Sequence, residues 1–279
     1  MQIIKSIPPL RETLKNWRAK GETVAFVPTM GNLHAGHTRL VERAKSEADK
    51  VVASIFVNPA QFSAGEDFGA YPRTPDEDIE KLRETGADLL FMPDAQAVYP
   101  AGAATFVEVP GLSEILCGAS RPGHFRGVAT VVCKLFNLVQ PDVALFGEKD
   151  FQQLAVVRRM VADLNLAVRV VGVPTVREPG GLAMSSRNGY LSEAEKQLAA
   201  LLYQSLLAAQ AALEAGGRDY RAIEAAQAEG LRGAGFRPDY FAIRGLDLAE
   251  PGADETAWVI LAAAWLGRAR LIDNVQVRV

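Results

Sequence analysis

The sequence predicts an α/β fold: a doubly wound parallel sheet followed by a smaller C-terminal α+β domain. Three observations carry that prediction. Short β-rich runs alternate with helical patterns through residues 1–177, composition shifts at Glu178-Pro179-Gly180-Gly181, and residues 178–279 then run two helical patterns followed by three strand patterns. Alternation at this spacing calls for parallel crossovers, whereas helices followed by strands form a separate α+β layer.

The elements follow in order. Thr23–Val27 reads as a buried strand, and Thr38–Lys50 carries Leu40, Val41, Ala44 and Ala48 at a helical period. Val51–Val57 is a second strand. Thr74-Pro75-Asp76-Glu77-Asp78 starts a helix, with threonine before it, proline at its first position and acids in its first turn. Asp88–Met92 is a third strand. Later come a helix from about Gly127 to Val139, a strand at Asp142–Phe146, a helix over Phe151–Leu164 and a strand through Val168–Val176. Past the shift, Ser192 caps a helix reaching about Ala215, a second runs from about Asp219 to Leu231, and strands follow at Tyr240–Arg244, Trp258–Ala263 and Ala269–Val277.

Composition narrows the function. The 279 residues hold 30 Lys+Arg and 33 Asp+Glu, a net charge of −3, so the basic face of a nucleic-acid binder is not expected, while a small anionic substrate needs only a local positive site. The two cysteines, Cys117 and Cys133, lie among apolar neighbours and read as buried free thiols. No CxxC pair, no apolar signal-peptide core and no run long enough to span a bilayer is found, so a cytoplasmic protein without membrane attachment is expected.

Histidine is rare, with three in the chain, yet His34 and His37 lie three residues apart. They fall in one of four polar segments that each follow a predicted strand: Pro28–His37, Asn58–Phe62, Gly147–Asp150 and Met184–Asn188. Ligands of open parallel sheets bind outside the carboxyl ends of the strands, so these segments are expected to share a site. In the first, Gly31 and Gly36 keep the backbone bare, and a helix starting near Gly36 would present unpaired N–H groups suited to phosphate. The spacing Gly31-(four residues)-Gly36-His37-Thr38 matches a P-loop, but histidine replaces the lysine that handles a transferred γ-phosphoryl group, which argues against a kinase. Zinc lacks a nearby third ligand.

His34-Ala35-Gly36-His37 resembles the HxGH motif of nucleotidyltransferases. Together with Phe56–Phe62, Tyr71-Pro72-Arg73-Thr74, Arg121–Val128, Phe146–Gln153 and Met184–Asn188, the string Pro28–His37 resembles the pantothenate synthetase (pantoate–β-alanine ligase) family along the whole chain. Another adenylyl transferase and a non-catalytic nucleotide-binding module are the alternatives. The resemblance implies a Rossmann-like sheet and a two-step reaction. Pantoate attacks the α-phosphorus of ATP to give pantoyl adenylate and pyrophosphate, and β-alanine then displaces AMP.

The same resemblance implies a site. His34 and His37 would meet phosphates, with His37 as proton donor or as charged donor. Lys149 would contribute a point charge, and Ser185, Ser186 and Arg187 a phosphate clamp. Met30, Gly31, Gly36, Gly147, Glu148, Asp150, Val176 and Met184 complete the ATP contacts, although Asp150 reads equally as a helix cap. Gln61 and Gln153 would hold pantoate and β-alanine, with Met30 against the gem-dimethyl group. Magnesium is expected with ATP, with Asp78 as the acidic candidate beside Asp76 and Glu77, whose place in a first helical turn needs no metal to explain it. His124 matches a loop near the triphosphate, and a homodimer is implied.

Overall fold

The computed structural model describes residues 1–63, 66, 68–252 and 254–279. They form two compact units, residues 1–148 with 153–174 and residues 149–152 with 175–279. The expected boundary at 177/178 thus differs from the division at 174/175. The reason is local: Arg177 donates to Asp273 at 2.6 and 3.0 Å, and Asn274 donates to the Lys149 carbonyl at 2.9 Å, so both segments belong with the C-terminal strands.

The first unit is a six-stranded sheet. Its strands are β1 (Gln2–Ile4), β2 (Val24–Thr29), β3 (Lys50–Ile55), β4 (Leu89–Phe91), β5 (Val143–Gly147) and β6 (Arg169–Val173). All pair in parallel, in the order β1-β4-β3-β2-β5-β6. Helices α1 (Ile7–Arg18), α2 (Ala35–Ala44), α3 (Pro75–Thr85), α4 (Ala95–Val98), α5 (Cys117–Ser120), α6 (His124–Val139) and α7 (Phe151–Asp163) connect them. The expected doubly wound parallel sheet is present. Ala25, Val27, Val51, Ala53, Leu90, Val143 and Leu145 form the centre of one buried cluster with Leu40, Val41 and Leu82 from the covering helices.

The strand order reverses between β2 and β5. Chain segments leaving their carboxyl ends run to opposite sides there and open a crevice, where open α/β sheets bind ligands. The segments leaving β2 and β5 are those carrying His34 and His37, and Gly147 and Glu148.

Several local expectations are corrected. Strand β1 and helix α1 have no counterpart among the expected elements. The pair Pro8-Pro9 falls in the first turn of α1, where no N–H is needed, so proline starts this helix instead of breaking it. Helix α2 spans Ala35–Ala44: it starts one residue before the expected Gly36, capped by His34, but ends well short of Lys50, with Ser46 Oγ binding the Arg43 carbonyl at 2.8 Å just past its end. Helix α6 begins at His124, ahead of Gly127. A side chain at Gly127 would strike the Ala60 carbonyl, so glycine lets α6 press on the Asn58–Phe62 segment. Cys117 is buried as expected, but Cys133 is half-buried.

The second unit has α8 (Glu193–Glu214) and α9 (Tyr220–Gly233) with an antiparallel sheet of β7 (Arg237–Gly245), β8 (Ala257–Leu266) and β9 (Ala269–Arg278), in the order β7-β8-β9. Ser192 caps α8, with its side chain accepting from the Glu195 N–H at 3.3 Å while Glu195 accepts from the Ser192 N–H at 2.8 Å. Trp258, Leu202, Leu206, Leu213, Ile243 and Ile260 fill its core. Among the described residues, no helix is long and apolar enough to cross a membrane.

Candidate active site

In the first unit, β2 ends at Thr29 and the chain turns through Gly31 and Asn32, both with positive φ, of 83° and 50°. A Cβ at Gly31 would sit 3.0 Å from Asp78 Oδ2 and 3.1 Å from Ile55 Cγ2, so this turn excludes a side chain. It delivers the chain to His34 in extended conformation, and α2 begins one residue later.

His34 and His37 cap that helix reciprocally. The Gly36 N–H donates to His34 Nδ1 at 3.1 Å, and the His34 N–H donates to His37 Nδ1 at 3.3 Å. A ring nitrogen that accepts a backbone N–H carries a lone pair, so the proton of each neutral imidazole lies on Nε2. The rings sit 4.1 Å apart, tilted by 44°, and both present an Nε2–H donor. The expected bare N–H groups at this helix start are therefore partly used by the histidines themselves.

Asp78, the acidic candidate for magnesium, has other partners in the structure. It is 1% exposed, accepts the Asn32 N–H at 2.8 Å and the Leu33 N–H at 2.7 Å on its two oxygens, and receives Thr74 Oγ1 at 3.2 Å. That environment does not fit a hydrated cation that keeps several waters and uses open carboxylates. Neighbouring Asp76 and Glu77 are exposed, and Glu77 lies 3.7 Å from Lys81. No group of three or more His, Cys, Asp or Glu among the described residues is placed to hold a metal ion.

Gln61 is buried in a short 3-10 turn, Pro59–Gln61, capped by Asn58. Asn58 Nδ2 donates to Gln61 Oε1 at 3.0 Å and to the Gly127 carbonyl at 3.1 Å, while Asn58 Oδ1 accepts from Tyr99 at 2.9 Å. With its oxygen turned to Asn58, Gln61 directs Nε2 toward Met30, whose sulfur lies 3.2 Å away. Burial pushes the Tyr99 phenol up to about 12, against the opposing hydrogen bond to Asn58.

His124, expected beside a triphosphate, is buried and engaged by protein on both ring nitrogens. Nδ1 lies 2.9 Å from the Gln61 carbonyl, which can only accept, so Nδ1 donates and Nε2 accepts from Arg121 at 3.1 Å. Arg121 in turn forks onto Glu66 at 2.8 and 2.6 Å. Burial raises the Glu66 carboxyl, but the Arg121 hydrogen bonds and charge outweigh it and hold the group below its ordinary value. Gln153 lies half-buried in the first turns of α7, after Gly147 and Glu148 at the end of β5. Met30, Gly31, His34, Gly36, His37, Gln61, Gly147, Glu148 and Gln153 all belong to this unit.

In the second unit, Lys149 and Asp150 lie in the 3-10 turn before α7, with Lys149 Nζ 3.8 Å from Asp150 Oδ2 and the Lys149 carbonyl held by Asn274. Val176 and Met184 are brought together, the Met184 N–H donating to the Val176 carbonyl at 2.9 Å. Ser185 Oγ accepts the Arg187 N–H at 3.2 Å and opens the turn Ser186–Tyr190. Asn188 ties that turn down, donating to Glu178 at 2.8 Å and to the Ala183 carbonyl at 3.1 Å.

Sequence reasoning missed three supports: Asp78 with its neighbour Lys81, Asn58 with Tyr99, and Arg177 with Asp273. Asp273 is nearly fully buried, so burial pushes its carboxyl up even though the Arg177 fork, stacked 3.6 Å over the Tyr203 ring, opposes the shift. The one available signal was a charged residue in an apolar strand pattern, as Asp273 is within Ala269–Val277.

Comparison with known proteins gives a consistent result. A sequence model described as Pantoate-beta-alanine ligase matches residues 2–276. A protein named pantothenate synthetase from Methylococcus capsulatus is 61% identical over 280 residues, covering 99% of this chain and 98% of that one. A crystal structure of the enzyme of that name from Thermus thermophilus superposes with a TM-score of 0.93 at 50% identity, covering 99% of both chains. A pantoate-beta-alanine ligase from Francisella tularensis, complexed with beta-gamma ATP and beta-alanine, matches with a TM-score of 0.83 at 34% identity, covering 99% of this chain and 97% of that one.

Proposed function

We propose residue roles on one premise: the chain belongs to the pantoate–β-alanine ligase family. It joins pantoate to β-alanine using ATP, through pantoyl adenylate, with release of pyrophosphate and then AMP. Both steps develop negative charge, first on phosphoryl oxygens and then on a tetrahedral acyl oxygen. Fixed donors aimed at that charge are usually the largest single catalytic contribution.

The observation that carries the assignment is the reciprocal cap of His34 and His37. Because both Nδ1 atoms accept backbone N–H groups, both rings are held ready to donate from Nε2 to the α- and β-phosphates without having to be imidazolium. We therefore read His37 as a neutral hydrogen-bond donor to the transition state. In this reading Gly31 and Gly36 place no side chain between the backbone and phosphate, while the Gly36 N–H itself stays on His34 Nδ1. Lys149 supplies charge, and Ser185, Ser186 and Arg187 grip the departing pyrophosphate, with the guanidinium fork suited to two oxygens. Gly147, Glu148, Asp150, Val176 and Met184 serve the adenosine.

Gln61 is read as the pantoate anchor. Its oxygen is committed to Asn58, while its Nε2 holds only the weak thioether acceptor of Met30, a partner that a substrate oxygen would replace. Gln153 is the second anchor, and Met30 offers the apolar contact for the gem-dimethyl carbons. A neutral amide leaves the attacking carboxylate its charge. Magnesium is read as part of the ATP substrate, carried on the triphosphate and its waters. The functional unit is read as a homodimer in the cytoplasm, and sedimentation of the purified protein tests the dimer.

The deciding assay supplies ATP, pantoate and β-alanine and follows AMP and pyrophosphate. The two should appear in equal amounts and depend on pantoate. Pantoate alone with ATP should release pyrophosphate up to one equivalent of enzyme. Formation of ADP, or product independent of pantoate, rejects the assignment.

A further inference from the structure

The donor geometry of His34 and His37 depends on a turn that has few side chains of its own to hold it. Gly31 and Asn32 both lie in the left-handed region, which glycine adopts freely but which costs free energy at Asn32 that surrounding contacts must offset. Besides the local bond from the Gly31 N–H to Thr29 Oγ1 at 3.2 Å, support comes from a helix distant in sequence. Asp78, in the first turn of α3, takes the N–H groups of Asn32 and Leu33, one on each carboxylate oxygen, at 2.8 and 2.7 Å. One turn further along, Lys81 Nζ donates to the Leu33 carbonyl at 2.8 Å. Leu33 is thus held through both its N–H and its C=O by residues three apart on one helix face. Its side chain is buried in the sheet-helix core.

At the other end of the pair of helices, Lys45 Nζ reaches the Thr85 carbonyl at 3.2 Å, so α3 splints α2 at both ends. Leu33 directly precedes His34, whose N–H is the donor that sets the His37 tautomer.

We propose that Asp78 and Lys81 are positioning residues for adenylation, fixing the Asn32–Leu33 backbone so that the Nε2–H groups of His34 and His37 stay aimed at the reacting phosphate. The inference rests on the ligase reading for its chemistry, but not for its geometry. Only a carboxylate offers two acceptors to two converging N–H groups. In Asp78→Asn the isosteric amide would turn an NH2 against one of them. Removal of the Lys81 ammonium frees the Leu33 carbonyl and leaves α3 otherwise intact.

The test measures pantoate-dependent pyrophosphate release and, separately, ring tautomers by nitrogen NMR of histidine-labelled full-length protein. Asp78→Asn should lower kcat by about tenfold to a hundredfold, with KM for pantoate within about twofold, as expected for misaimed groups. Lys81→Met should lose about threefold to tenfold, and Lys81→Arg should recover most of it. In a His34→Ala, His37→Ala background, Asp78→Asn should cost less than about threefold, because residues acting as one unit are not additive.

Wild-type protein should show both rings in the Nε2–H form, and Asp78→Asn a mixture. A full multiplicative loss in the His34→Ala, His37→Ala background overturns the proposal, as does an unchanged His37 tautomer in Asp78→Asn or Lys81→Met. If Asp78→Asn fails to fold, the Lys81 pair decides by the same two readouts. Wild-type protein that releases no pyrophosphate with pantoate rejects the ligase reading instead, while the tautomer measurement still judges the clamp.

Discussion

Two segments read as phosphate contacts, Thr29–His37 and Met184–Asn188, are held in opposite ways. The first relies on acceptors 45 and 46 positions away, the Asp78 oxygens that hold Leu33 and Asn32. The second closes on itself: Ser185 caps its own turn, and Asn188 binds partners 5 and 10 positions back in the chain. The base of its loop reaches farther, Arg177 binding Asp273, and Tyr190 and Leu191 at its end pack on the core of the second unit. Within the first turn one local bond, Gly31 N–H to Thr29 Oγ1, is present, and the non-glycine left-handed residue Asn32 is held by a buried partner elsewhere. A capped 3-10 turn satisfies its own backbone and can tolerate change around it. The contrast predicts that damage to the first segment is read as rate, and damage beneath the second as stability.

The largest expected effect tests the first half of that statement. His37→Ala and Lys149→Ala should each cut adenylate formation about a hundredfold to a thousandfold, the loss seen when one charge-stabilising donor is removed. Circular dichroism and the melting point should stay close to wild type. Rates within a few-fold of normal would remove that residue from the mechanism.

Asp273→Ala tests the second half. It strands the Arg177 guanidinium in a largely buried place and should cost about 3 kcal/mol of unfolding free energy, the lower end for a broken buried pair since Arg177 keeps some exposure. Urea unfolding reads this directly, and a variant as stable as wild type would show that burial of the pair had already cancelled its attraction.

Next in size is Gln61→Ala, expected to raise KM for pantoate about tenfold, the loss of a hydrogen bond to a charged or strongly polar group, with KM for ATP little changed. The reverse order would take Gln61 out of the pantoate site.

The smallest effect concerns Tyr99, which steadies Asn58 behind Gln61. Its folded value near 12 exceeds the ordinary phenol value near 10, so the unfolded chain ionises first. Its contribution is complete below about pH 10 and is lost as pH rises toward about 12. Tyr99→Phe should lose about 1 kcal/mol at neutral pH and show a shallower fall in stability across that alkaline window. An unchanged slope would mean that the phenol is more hydrated than its surroundings suggest.

Much of this was legible in the residues. Hydrophobic periodicity marked the strands from β2 onward, because a buried parallel strand is an apolar run and a covering helix repeats every three to four residues. It did not mark β1, whose three residues are largely exposed, or α1, whose two prolines look like breakers until their position in the first turn is known. Ser192 was readable as a cap because the capping box is written within four residues. Asp78 was readable only as an acid in a first turn, and Lys81 as an ordinary helix lysine. Nothing local distinguishes a carboxylate that faces solvent from one that takes two N–H groups of a loop 45 residues earlier.

By itself the sequence determined the parallel sheet, a helix start near Gly36 that the structure places one residue earlier at Ala35, and a family motif set that specifies adenylation of a carboxylic acid. These depend on spacing along the chain, which is visible in one dimension. Tertiary structure alone decided which nitrogen of each histidine accepts a backbone N–H, that the Gln61 amide turns its oxygen to Asn58 and its nitrogen to Met30, and that Asp78 accepts the Asn32 and Leu33 N–H groups. Each of those is settled by a hydrogen-bond partner brought from elsewhere in the chain, and a partner's direction has no representation in residue order.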